Sequence, residues 1–135
     1  MEKELMVGDV LSREFHDANL NKAGYQHLGV VVAIIEGKAE ICHQQCQGGR
    51  YRVIISSYKS FLKGKNVLSR ERLPVKDIDN LYNKARRLTL SCTWTPEYYP
   101  FFGKEHIAYY LIGASDIVLE DRKKMIKNLR RRTFI

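Results

Sequence analysis

The chain has 135 residues, 44% of them apolar and 28% charged, with nine Gly, three Pro and three Cys. This composition fits one compact domain that can bury roughly two-thirds of its unfolded surface, and it excludes an intrinsically disordered chain, a collagen-like repeat and a small cystine-stapled scaffold. The net charge is +8, and no stretch approaches the roughly 18 consecutive apolar residues of a membrane-spanning helix.

Three cysteines leave one thiol unpaired in any intramolecular scheme, and no leader of basic, apolar and small residues opens the chain, so a reducing, cytoplasmic setting is expected. The charge is unevenly spread. Between Leu119 and Ile135, Arg122, Lys123, Lys124, Lys127, Arg130, Arg131 and Arg132 face only Glu120 and Asp121, so this segment carries +5 and the other 118 residues only +3. A domain over 1–118 with a basic tail over 119–135 follows. A negatively charged partner would meet the tail first.

Taken in chain order, Met1 to Met6 reads as a frayed start. Gly8-Asp9 is a turn pair that opens a short strand reaching Phe15, and His16 to Gly24 is polar and loop-like. Tyr25 to Ile35 (YQHLGVVVAII) is too continuously apolar for a one-sided strand and predicts a central strand buried on both faces. Glu36-Gly37-Lys38 is a tight hairpin turn, with a return strand over Ala39 to Gln44. After a connection over Gln45 to Arg50, Tyr51 to Tyr58 forms another strand, and the three make an antiparallel meander. Ser60 to Arg72 is expected to be a loop with one turn of helix.

Pro74 stands where a helix likes to begin, and Val75, Ile78, Leu81, Tyr82, Ala85 and Leu88 recur at helical spacing. Ser91 to Pro100 is a loop. A second helix starts near Gly103-Lys104 and runs to Ile112, Gly113 ends it, and Ser115-Asp116 caps a last helix with Ile117, Val118, Met125, Ile126 and Leu129 along one side. The order predicts an α+β fold, a small antiparallel sheet packed against two to three helices.

Several groups invite chemistry. Cys42-His43-x-x-Cys46 offers thiolate and imidazole, but a structural zinc site wants four ligands, and His16, His27, Cys92 and His106 are scattered singly, so neither metal nor cofactor is expected. Trp94, Tyr98, Tyr99, Phe101, Phe102, Tyr109 and Tyr110 could stack nucleobases, although their prolines and helical spacing fit packing between helix and sheet. Gln47-Gly48-Gly49-Arg50 lacks the Lys-Ser/Thr continuation of a phosphate loop. His106, inside an apolar helix, reads as a hydrogen-bonded core histidine. The segment Asp116 to Arg132 interleaves Ile117, Leu119, Met125, Ile126 and Leu129 with basic residues. Such an amphipathic basic helix could lie on an anionic membrane or dock on the domain itself.

Val7-Gly8-Asp9-Val10, Tyr25-Gln26-His27-Leu28-Gly29-Val30, Ile41-Cys42-His43, the Pro74 helix and Tyr99 to Gly113 (YPFFGKEHIAYYLIG) together resemble, in this order, the lecithin:retinol acyltransferase-like family. That family includes small phospholipase/acyltransferases and picornaviral 2A proteins, and it is a permuted branch of the NlpC-type papain-like superfamily. The resemblance implies a permuted papain-like fold over Val7 to Ser115. It also implies that His27 is the base for a cysteine nucleophile and that His43 orients it.

An imidazole and a helix N-terminus together bring a thiolate within reach at neutral pH. The family motif Asn-Cys-Glu-His-Phe aligns with Gly103, Lys104, Glu105, His106 and Ile107, so Lys104 stands in the position of the nucleophile. An amine there would form an amide with an acyl group, which does not turn over as a thioester does. The resemblance therefore implies a catalytically degenerate domain that works in binding or scaffolding, its partner a lipid surface, a protein or RNA. A thiol-dependent phospholipase or acyltransferase using His27 and an unaligned Cys42, Cys46 or Cys92 is one alternative. A 2A-type viral protein contacting host factors or RNA is another. The tail residues Lys123, Lys124, Lys127, Arg130, Arg131 and Arg132 are the candidate binding residues. Family members often continue into a hydrophobic anchor, and here the sequence stops at Phe134-Ile135.

Overall fold

Five antiparallel strands, β1 (Asp9–Glu14), β2 (Gln26–Ile35), β3 (Lys38–Gln47), β4 (Arg50–Ser57) and β5 (Val67–Arg72), form one sheet in the order β4-β3-β2-β1-β5. The structure, a computed structural model, describes residues 2–14, 26–47, 49–72, 74–90 and 111, with the backbone alone for 26, 46 and 47. Two α-helices, α1 (Tyr58–Leu62) and α2 (Leu81–Thr89), occur among the described residues. The expected α+β class and antiparallel meander are present.

Side chains alternate across a strand, so each strand feeds two cores. On one face Val10, Leu28, Val30, Val32, Cys42 and Val53 pack with Leu81 and Ala85 of α2 and with Leu111. On the other, Leu5, Leu11, Val31, Ala39 and Ile41 pack with Phe61 of α1. The apolar run of β2 follows from its place in the middle of the sheet, where Leu28, Val30, Val31 and Val32 are buried on the two faces, but Ile34 and Ile35 at its hairpin end are exposed, so burial on both faces does not extend to the end of the strand. The Glu36-Gly37 turn joins β2 to β3, and both residues have positive φ, 53° and 78°, as a two-residue hairpin with right-handed strand twist requires.

The structure departs from the sequence reading in four places. The N-terminus is anchored: a 3-10 turn at Glu2–Glu4 leads to buried Leu5, and a Glu2 carboxylate oxygen accepts the Ala39 N–H at 2.9 Å. β3 continues to Gln47, so Cys46 lies within the strand and opposite Tyr51, and the connection to β4 shrinks to the glycine turn. The segment expected to be loop contains β5, which pairs with β1 through Leu11↔Arg70 and Ser12↔Ser69, the two hydroxyls 2.5 Å apart. Its sequence, VLSRER, has no apolar run because it lies at the sheet edge. Finally, α2 begins at Leu81, after a 3-10 turn at Ile78–Asn80, rather than at Pro74. Val75 packs outside the helix, where a Cβ on Gly8 would come within 2.7 Å of its Cγ2.

α1 is short because its ends are fixed locally. Ser57 caps it by accepting the Ser60 N–H at 3.1 Å, and Lys63, in the left-handed region at φ 49°, turns the chain out of it. This single turn seats Phe61, fully buried, over Gly29 of β2. A Cβ at residue 29 would lie 2.6 Å from Phe61 Cε1 and 2.5 Å from Ile41 Cγ2. Gly29→Ala is therefore expected to destabilise the fold by about 1–3 kcal/mol through overpacking, read as a lower urea midpoint. An unchanged midpoint would mean that Phe61 does not need this contact.

Candidate functional site

The register of the sheet collects polar side chains on the α1 face. Arg13 of β1 is opposite His27 of β2, Gly29 is opposite His43 of β3, and Ile41 is opposite Ser56 of β4. Directly paired residues share a face, so Arg13, His27, His43 and Ser56 run diagonally across four strands beneath Phe61.

His27 Nε2 and His43 Nδ1 are 2.9 Å apart, and His43 Nε2 and Ser56 Oγ are 2.7 Å apart. The rings of His27 and His43 meet edge to face at 5.1 Å between centroids. Phe61 lies stacked on His27 at 5.5 Å and edge-on to His43 at 5.1 Å. Arg13 completes the cluster. Its guanidinium carbon lies 5.6 Å from the Phe61 ring centroid, Nε donates to the Phe61 carbonyl at 2.5 Å, and Nη1 donates to the Glu14 carbonyl.

His43 is 4% exposed and Arg13 likewise 4%. Burial pushes the His43 imidazole down from 6.5 to about 4, and the positive charges of Arg13 and Lys63 push the same way, against a raising contribution from a backbone hydrogen bond at Gln44. Burial also lowers the pKa of Arg13. His43 is thus neutral at pH 7. One nitrogen of each facing pair must carry a proton and the other must accept it, so the Ser56–His43–His27 chain is satisfied without any formal charge.

Of the residues singled out in the sequence, His27 and His43 are brought together. Cys42 is not: it is 1% exposed in the core on the α2 face, with its thiol pushed up to about 12 by burial. That environment makes it an unreactive thiol, separated from the imidazoles by the sheet. Lys104, Cys92, His106 and the tail residues Lys123, Lys124, Lys127, Arg130, Arg131 and Arg132 lie outside the described residues. So do the side chain of Cys46 and the expected helices after Pro100, apart from Leu111, which is fully buried in the core on the α2 face. Among the described residues, no three His, Cys, Asp or Glu side chains gather as a metal ion would require.

Arg13, Ser56 and Phe61 belong to the cluster without having been singled out. The hairpin offers the signal for Ser56. Counting outward from the Gln47↔Arg50 pair places residue 56 opposite 41, on the face of His43, while Val53 and Ile55 lie on the other side.

The His43 environment fixes a pH dependence. In the unfolded chain this imidazole takes up its proton near 6.5, whereas in the folded chain it stays neutral down to about 4. Between these values the unfolded state binds more protons, so stability falls as pH falls. This contribution is complete above 6.5 and lost below about 4, and is worth about 3 kcal/mol. Urea unfolding from pH 7 to pH 4 is expected to show this loss, reduced by about that amount in His43→Asn; equal losses in both proteins would refute the assignment.

No family model matches the chain, and neither a curated protein nor a solved structure matches it.

Proposed function

We propose that this chain is a lecithin:retinol acyltransferase-like domain, with the permuted papain-like fold, that has lost thiol acyl transfer and works by binding an anionic lipid surface. The observation that carries this reading is the company kept by the imidazole pair. His27 and His43 are hydrogen-bonded to one another beneath Phe61, and the described thiol, Cys42, is on the opposite face with its pKa near 12. The position that the resemblance assigns to the nucleophile carries Lys104. Cys42, the described thiol, is thus out of reach of both imidazoles, and the pair's burial beneath Phe61 fits a structural role in this reading.

The tail supplies the binding. Each basic residue near an anionic bilayer contributes on the order of 1 kcal/mol. Ile117, Leu119, Met125, Ile126 and Leu129 add an apolar stripe that a lipid interface can bury and a nucleic-acid backbone cannot. The same stripe argues for a membrane over the RNA or host-protein contacts of the 2A reading. Among the described residues no helix is long and apolar enough to cross a membrane.

Two outcomes are expected. The full chain sediments with mixed phosphatidylserine–phosphatidylcholine vesicles and not with phosphatidylcholine alone, and a chain ending at Val118 loses at least about tenfold in affinity, or about 1.4 kcal/mol. Equal retention of both chains would overturn the role of the tail. Incubation with a short-chain phospholipid gives no fatty-acid release that thiol alkylation abolishes; alkylation-sensitive multiple turnover would restore the enzyme reading.

A further inference from the structure

The chain of contacts through His27 and His43 can be read from its other end. Ser56 Oγ is 2.7 Å from His43 Nε2, and His43 Nδ1 is 2.9 Å from His27 Nε2. We propose that the Ser56 hydroxyl is a nucleophile toward acyl and phosphonyl electrophiles, with His43 as its base and His27 as the positioning residue that holds His43. This goes beyond the lipid-binding reading and does not depend on it.

The argument is geometric. An activated hydroxyl needs a base within about 2.6–3.2 Å and a third group that orients the base. All three are present, in the order hydroxyl, imidazole, imidazole, on three neighbouring strands. When Ser56 donates to His43 Nε2, the His43 proton resides on Nδ1 and is donated to His27 Nε2, which accepts it. This tautomer lets Nε2 take a further proton. The site is also asymmetric in access: His43 is buried, while Ser56 is partly exposed at its end of the chain. The ring of Phe61 packs against both imidazoles and restricts their rotation. The charges facing His43 are Arg13 from β1 and Lys63 at the end of α1; they keep the resting imidazole neutral and work against the imidazolium that forms when it takes the Ser56 proton, so the case for the base rests on geometry.

The step balances without a cofactor. With a carboxylic ester, Ser56 Oγ forms a bond to the carbonyl carbon while its proton passes to His43 Nε2. The tetrahedral species then breaks its bond to the alkoxide oxygen, which takes that proton and leaves as an alcohol. Water repeats the sequence on the acyl-serine and releases a carboxylic acid. With a fluorophosphonate, the Ser56 proton passes to His43 Nε2 as the oxygen–phosphorus bond forms, the phosphorus–fluorine bond breaks, fluoride departs, the proton is then lost from His43 to solvent, and the adduct stays.

The deciding experiment treats the full, unmodified chain with an alkyl fluorophosphonate and maps the adduct by peptide mass spectrometry. The expected result is one adduct at Ser56, formed about 100-fold faster than any at its neighbour Ser57, in keeping with the usual contribution of a positioned base. No adduct, or equal labelling of Ser56 and the exposed Ser57 and Ser60, would overturn the proposal, and neither outcome requires a variant to fold. Two variants then test positioning: His27→Gln, whose amide oxygen can accept from His43 Nδ1, should label at a rate within tenfold of the parent, and His27→Leu should label more than tenfold slower. Equal rates in His27→Leu and the parent would remove His27 from the mechanism.

Discussion

The close approach of Phe61 to β2 over the missing side chain of Gly29 is the constraint on which the polar cluster depends. A residue with a Cβ at this position would hold the ring off the sheet, since the hypothetical atom sits 2.6 Å from it. With the ring down, both imidazoles have an apolar wall and lose contact with water. The hydrogen bonds between them then become obligatory, because an unpaired buried imidazole nitrogen would cost about 1–3 kcal/mol. One glycine thus connects the packing of a five-residue helix to the burial that keeps His43 neutral.

The second consequence is electrostatic. Arg13 is buried beside Phe61 and satisfied by backbone carbonyls, those of Phe61 and Glu14. Carbonyl dipoles solvate a guanidinium without cancelling its charge, so the field of Arg13 reaches the neighbouring imidazoles. Two adjacent cations in such a setting repel, which adds to burial in keeping the resting His43 neutral. Burial, and after it the charge of Arg13, keeps His43 neutral within this hydrogen-bonded chain. Neutral relays pass protons without accumulating charge, which suits them equally to stiffening a sheet and to serving a hydroxyl at one end.

How much of this was legible in the residues depends on the range of the interaction. β2 and the Glu36-Gly37 turn were readable because they rest on a local signal, a long apolar run and a two-residue turn. The turn alone does not bring His27 and His43 to one face: the register shifts by one residue between Val31 and Ala33, and that irregularity puts His43 opposite Gly29 rather than Val30. β5 was not readable, because VLSRER becomes a strand only by pairing with β1, more than fifty residues away in sequence. The late start of α2 has a similar cause. Val75 has the right spacing for the helix stripe but is taken up by a contact with the turn at Gly8, so the helix starts at Leu81. Cys42 was legible by alternation alone: it adjoins His43 in sequence, and a strand sends neighbours to opposite faces.

Arg13 shows why a site is harder to read than a fold. Alone in the sequence it is one of 23 basic residues in a chain of net charge +8, and its neighbours, Ser12 and Glu14, give no hint of burial. Its role emerges from three registers at once: opposite His27 across β1 and β2, over the Phe61 ring, and within reach of two carbonyls. Each of these is set by a different part of the chain. The tail, by contrast, shows its charge openly in the sequence because nothing need fold for seven basic residues in a row of seventeen to attract an anionic surface. The sequence therefore holds positive charge that can be read from composition alone, the basic run of the tail, and, among the described residues, a buried cation, Arg13, whose charge acts on the imidazole of His43 and, being buried, is screened less by salt than a charge in solvent.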